Sequence, residues 1–169
     1  MTSEKQQFIN QLEAAMSRIT HPRYYLSERG FQGALIAQLQ QGLTELNWEN
    51  AIIEQEYQKR IREHDTRIRP DVIIHVPFDS NEHNTRGEGN FVVFELKLGS
   101  ALNESKALDD YKSLATMCEA LSYPYAVFIV IDGESAFFNN YQGPHKNKIL
   151  VFKVKLEDGQ VLISRETDT

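Results

Sequence analysis

A chain of 169 residues is expected to form one domain and is long enough to bury a core of its own. Its 41% hydrophobic content includes no apolar run near the roughly 18 residues of a membrane span, and residues 1–10 lack the apolar centre of a secretion signal, so a cytoplasmic protein without membrane partners is expected. One cysteine, Cys118, excludes an internal disulfide and a cysteine-built zinc site, and the net charge of -6 offers no overall attraction for a polyanion.

Residues 4–19 place Phe8, Ile9, Leu12, Ala15, Met16 and Ile19 at helical spacing, and His21-Pro22 stops the run. A second helix is predicted over 27–43, with Ser27 as its cap and Gly42 near its end. Phe31, Leu35, Leu39 and Leu43 recur every fourth residue on its buried face. Glu28, three residues before Phe31, shares that face. It is either a site acid turned toward the sheet or a first-turn acid favoured by the helix dipole.

Residues 48–61 read as a strand, with Ile53 and Tyr57 as core candidates and Glu54 and Glu56 turned to solvent. Strands over 70–76 and 91–98 follow. The polar loop between them, Asp79 to Asn90, is either an ordinary mobile hairpin or a clamp beside a site. A third helix over 105–121 aligns Leu108, Tyr111, Leu114, Ala115 and Cys118, which makes Cys118 a buried, inert thiol and Tyr111 a core residue. After Pro124, the continuous apolar run 125–131 predicts a buried strand. A polar loop leads to a strand over 148–156, the turn Glu157-Asp158-Gly159-Gln160 and an edge strand over 161–164. The order α-α-β-β-β-α-β-β-β predicts an α/β fold, a mixed sheet flanked by helices.

The most informative residues lie in Arg69-Pro70-Asp71-Val72-Ile73-Ile74 and Val92-Val93-Phe94-Glu95-Leu96-Lys97-Leu98. Charges in apolar strands are costly unless a metal or an opposite charge compensates them. An antiparallel pairing with Pro77 opposite Phe91 sets Asp71 opposite Lys97, with Glu95 a diagonal neighbour. One face then carries Asp71, Ile73, His75, Glu95 and Lys97, and the other Val72, Ile74, Val76, Val92, Phe94 and Leu96. The register is an assumption, but Glu95 and Lys97 share a face in any regular strand. Two carboxylates suit Mg²⁺, and a neighbouring lysine can orient water or stabilise developing charge.

Pro70-Asp71 followed by Glu95-Leu96-Lys97 resembles the PD-(D/E)xK nuclease superfamily, over roughly Tyr25 to Ile131. The resemblance implies a restriction-endonuclease-like fold for a single domain over 1–169, with the helix over 4–19 as an extension. It implies Asp71, Glu95 and the Leu96 backbone carbonyl as ligands of Mg²⁺, with Mn²⁺ as substitute. Lys97 would position or activate water. Glu28, within Ser27-Glu28-Arg29-Gly30-Phe31-Gln32, matches the family's helical glutamate. Asp109-Asp110-Tyr111-Lys112-Ser113-Leu114 matches a later helix bearing an acid and a lysine. His75 and Lys112 are possible supporting partners of the ligands. His75 reads first as a polar residue further along the hairpin, and Lys112 first as a solvated one.

The implied activity is metal-dependent phosphodiester hydrolysis, with DNA as the expected substrate. Basic residues at Lys59, Arg60, Arg62, Arg67 and Arg69, or at Lys146, Lys148, Lys153 and Lys155, can track a phosphate backbone or lie simply solvated. One site per chain suggests a homodimer for cutting a duplex, and sequence recognition would come from loops or a protein partner. The alternative is an inactive nuclease-like module for nucleic-acid binding or protein assembly. A further alternative makes Glu95 and Lys97 an ion pair within the strand and Asp71 a turn acid.

Overall fold

The computed structural model describes residues 3–48, 50–55, 68–85 and 87–167. The first helix, α1 (Glu4–Ser17), starts where the Ser3 hydroxyl accepts the Gln6 N–H, and it buries Phe8, Ile9, Leu12, Ala15 and Met16 along one side. Helix α2 (Glu28–Gly42) is capped in the same way, with Ser27 accepting from Gly30, and it buries Phe31, Gln32, Leu35 and Leu39.

The strand predicted over 48–61 is much shorter where it is described. Asn47 and Asn50 adopt left-handed backbone angles, and regular pairing begins only with β1 (Ile52–Gln55). Trp48 is drawn into the core instead. Its ring stacks on Phe91 at 4.6 Å, and its indole N–H donates to Glu4 at 2.8 Å. Tyr57, Glu56, Lys59, Arg60, Arg62 and Arg67 lie outside the described residues.

Strands β2 (Val72–His75) and β3 (Asn90–Leu98) pair antiparallel. Helix α3 (Glu104–Ala120) leads to β4 (Tyr125–Ile131), which lies parallel to β3. Strand β5 (Ile149–Glu157) lies parallel to β4, and β6 (Gln160–Glu166) closes the sheet antiparallel. Asp158 and Gly159, both at positive φ, form the two-residue turn between β5 and β6 that their sequence favours. The six strands follow one another in sheet order β1-β2-β3-β4-β5-β6. The result is an α/β structure whose mixed sheet has α1 and α2 on one face and α3 on the other.

Alternation along the strands divides the core in two. Val72, Ile74, Val92, Phe94 and Leu96 pack with α1 and α2. Ile73 and Val93 pack with α3, Tyr123 and Phe128. The register differs from the expected one. Val72 stands opposite Phe94, not Leu96, so β3 is displaced by two residues. An even displacement leaves every side chain on its face.

The Asp79–Asn90 connection leaves from the end of β2 remote from Asp71, which corrects its reading as a clamp beside the site. It is braced by its own turn contacts. The His83 N–H donates to the Asp79 carbonyl, and the Asn81 N–H donates to the Asp79 carboxylate, both at 2.8 Å.

Candidate active site

The candidate site forms where β2 stops and β3 continues. Pro70 is buried and Asp71 follows it at the head of β2. The Asp71 N–H donates to the Phe94 carbonyl at 3.1 Å. Its carboxylate Oδ2 in turn accepts the Leu96 N–H at 2.7 Å. Two residues further on, the Leu98 N–H donates to Glu28 Oε1 at 3.1 Å. These alternate amides of β3 face the edge that β2 no longer covers. Two acids, one from the strand head and one from the first turn of α2, take the place of strand partners. The Leu96 carbonyl projects from the same edge as its N–H by strand geometry.

Glu95 and Lys97 project from the α3 face. Lys97 Nζ lies 2.9 Å from Glu95 Oε1 and 3.9 Å from Asp110 Oδ2 of α3. The register displacement puts Asp71 alongside Glu95 rather than Lys97. The structure therefore brings Asp71, Glu95, Lys97 and Glu28 together and adds Asp110. The acid at Asp110 carried a signal that sequence reading did not convert into a site assignment. It falls between Ala107 and Leu114 on the buried stripe of α3, where an apolar residue belongs.

His75 is not brought to this cluster. It lies four residues along the strand from Asp71, roughly 13 Å away. It is buried, with its Nε2 2.7 Å from the Glu54 carboxylate. Glu54 is thus tied to the sheet by this contact while its side chain still faces solvent, as expected. Lys112 is also remote in its contacts: it is exposed and pairs with Asp109 at 3.7 Å. One helical turn carries both acids, but Asp110 faces the sheet and Asp109 faces water.

Among the described residues, four acids surround one ammonium. Burial pushes the Glu95 pKa well above the carboxylate range, and the Asp71 charge pushes it further, while Lys97 pulls it back. Burial works to lower the Lys97 pKa, but Glu95, Asp110 and Glu28 together raise it, so the proton rests on Lys97. Asp110 is lifted to about 6, first by burial and then by Asp71, Asp109 and Glu28 against the pull of Lys97. Its Oδ2 is buried with no hydrogen-bond partner.

Clustered acids of this kind are chemically suited to a cation. Among the described residues no three His, Cys, Asp or Glu side chains lie close enough to enclose an ion. Mg²⁺ does not demand such a cage: one or two carboxylates and several waters suffice. Asp71, Glu95 and the Leu96 carbonyl fit that donor set by chemical type, and the orphaned Asp110 oxygen fits a neighbouring water or cation. The cluster sits toward the carboxyl end of β3, where it runs parallel to β4, a usual place for ligands in α/β sheets.

No protein-family model matches the chain, and no curated protein does. Among solved structures, the chain is similar to SfsA of Pyrococcus furiosus, solved in complex with Ca²⁺, at 15% identity and a TM-score of 0.39. The likeness covers 82% of this chain and 63% of that one, so the chain spans less than two thirds of that protein's length.

Proposed function

We propose that this chain is a metal-dependent nuclease that hydrolyses phosphodiester bonds, with DNA as the expected substrate. One observation carries the reading. Among the described residues, Asp71, Glu95, Asp110 and Glu28 gather round Lys97 beside the stretch of β3 that β2 does not cover, four half-buried acids to one ammonium. A purely structural ion pair between Glu95 and Lys97 does not call for the other three acids.

Asp71, Glu95 and the Leu96 carbonyl would hold Mg²⁺, or Mn²⁺ in its place, with Glu28 as an accessory acid. When bound, the metal would polarise a phosphoryl oxygen and lower the pKa of water. The chain's own groups do the rest. The Leu96 N–H fixes the rotation of the Asp71 carboxylate. Glu95 holds Lys97 in its charged form, ready to donate to a phosphate oxygen or to orient the attacking water. Water adds at phosphorus, one P–O ester bond breaks, and the departing sugar oxygen takes a proton.

The contact of Lys97 with Glu95 at 2.9 Å also favours a second reading, because it neutralises one candidate ligand. On that reading the same fold serves as an inactive module for nucleic-acid binding or protein assembly. An assay with Mg²⁺ and Mn²⁺ on duplex, single-stranded and branched DNA and on RNA separates the two. Metal-dependent cutting that disappears in Lys97→Ala supports the nuclease. No cutting, together with no shift in melting temperature on adding Mg²⁺, supports the module. A homodimer is the expected assembly for duplex cutting, and light scattering showing only monomer at working concentration would count against it.

A further inference from the structure

We propose that β6 is a self-association edge: two copies of this chain pair their β6 strands antiparallel, with Leu162 opposite Leu162 of the second copy, and so join their sheets. The inference goes beyond the nuclease reading and does not depend on it.

Strand β6 ends the sheet, paired with β5 alone. The Asp158-Gly159 turn closes on the hydrogen-bonded pair Glu157 and Gln160, so the bonds to β5 recur at Leu162 and Ser164. The backbone groups of Val161, Ile163 and Arg165 therefore point away from β5. Among the described residues, no other segment donates to them or accepts from them. The stretch 56–67 leaves from β1, the opposite edge of the sheet. Exposed edge strands are normally guarded by lysine, proline or a bulge. Residues 160–164, Gln-Val-Leu-Ile-Ser, carry no charge and no proline, and they pair with β5 without a break in register. Leu162 at their centre is 42% exposed, because α3 packs on β3, β4 and β5 and leaves this end of the face open.

Such an edge complements itself about a two-fold axis. Only registers that match odd residues with odd residues align the outward amides. Centring on Leu162 sets Val161 opposite Ile163 of the copy, and Ile163 opposite Val161, each pair exchanging both backbone hydrogen bonds. Leu162 then meets Leu162 as a non-hydrogen-bonded pair, the type whose side chains lie closest. Gln160 faces Ser164, and Arg165 comes beside the Asp158 turn of the copy, an opposite charge. The Glu166 carboxylate stays with its own chain, where it accepts the Ala136 and Phe138 N–H groups. A centre on Ile163 would set Leu162 opposite Ser164 and leave the leucine without its match. The axis turns the two β3 strands antiparallel, with their acidic clusters toward opposite ends of the joined sheet. The pairing is thus separate from any convergence of two sites on one duplex.

Sedimentation velocity of the whole chain in EDTA, over a series of micromolar concentrations, tests the edge. Wild type is expected to pass from monomer to dimer and stop there, because pairing consumes the edge. The paired stretch is short, so the dimer is weak and reversible. Leu162→Lys sets like charges opposite each other and is expected to weaken association about tenfold or more. Its circular dichroism and melting temperature should match those of wild type, since the side chain is exposed. Cysteine crosslinking gives a second test, which also serves if Leu162→Lys does not fold. In the proposed register the Cα atoms at 162 stand about 4.5 Å apart, within reach of a disulfide, whereas those at 164 lie well apart on either side of the axis. Mild oxidation is expected to crosslink Leu162→Cys and not Ser164→Cys, and Cys118 is buried and takes no part. A wild type that stays monomeric, larger oligomers, or equal crosslinking of the two cysteine variants overturns the pairing. A dimer that Leu162→Lys leaves intact overturns it too, while leaving the homodimer expected of the nuclease.

Discussion

Asp110 of α3 and Lys97 of β3 face each other at 3.9 Å across the helix–sheet boundary, too far for a hydrogen bond. Lys97 spends its short contact on Glu95 at 2.9 Å, and the Asp110 oxygen remains buried without a donor. Lys97 is therefore shared among several acids, and its removal is more serious than the loss of one ion pair.

Lys97→Met should lower the stability of the metal-free protein by about 2 kcal/mol, reduced from the value for a fully buried pair because Lys97 is partly exposed. Adding Glu95→Gln should recover part of the loss, since it removes the stranded carboxylate. Urea unfolding of the two single variants and the double variant, in EDTA, measures the coupling. A double variant whose loss equals the sum of the single losses would show that the pair is not coupled.

Metal-free stability should depend on pH through Asp110. Its folded pKa of about 6 exceeds the ordinary 3.8. The folded state therefore binds this proton more tightly than the unfolded chain does. The resulting stabilisation is complete below the unfolded value and is lost as pH rises through about 6. Melting temperatures in EDTA should show this loss between those limits, and Asp110→Asn should flatten the profile there. A variant with the wild-type slope would remove Asp110 as its source.

Cys118 should resist thiol reagents while the protein is folded. The side chain is buried, and burial pushes its pKa up to about 11 despite the opposing charge of Lys148. Disulfide-exchange labelling at neutral pH should be slow in the native protein and rapid once guanidinium unfolds it. Fast native labelling would show that this part of α3 opens readily.

Gly99→Ala should destabilise the protein by about 1–3 kcal/mol, the scale of an overpacked site. A Cβ at Gly99 would stand 2.3 Å from the Gly133 Cα and 2.6 Å from the Asp132 carbonyl oxygen, and neither is a side chain able to rotate away. The strain would fall on the end of β3 that presents Leu98 to Glu28. A lowered urea midpoint checks the packing. A wild-type midpoint would show that the two loops separate at little cost.

Much of this arrangement was legible in the sequence because local chemistry specifies it. Helical spacing marked the stripes of α1, α2 and α3. Strand alternation separated Val72, Ile74, Phe94 and Leu96 from the face bearing Glu95 and Lys97, and that division survives any even change of register. Ser27 and Asp158-Gly159 announced a helix start and a tight turn through their own backbone preferences.

Tertiary structure decided what these elements meet. Backbone hydrogen bonds are the same at every residue, so the sequence by itself did not state that Val72 pairs with Phe94 or that β3, β4 and β5 run parallel. Packing selected those pairings. The same holds for His75, which the sheet turns toward Glu54, and for Asp110, visible as an acid in an apolar stripe but given its partner only when α3 lies across β3. The meeting of Glu28 with the Leu98 amide, 70 residues along the chain, has the same origin, because burying the apolar face of α2 fixes where its polar first turn must emerge.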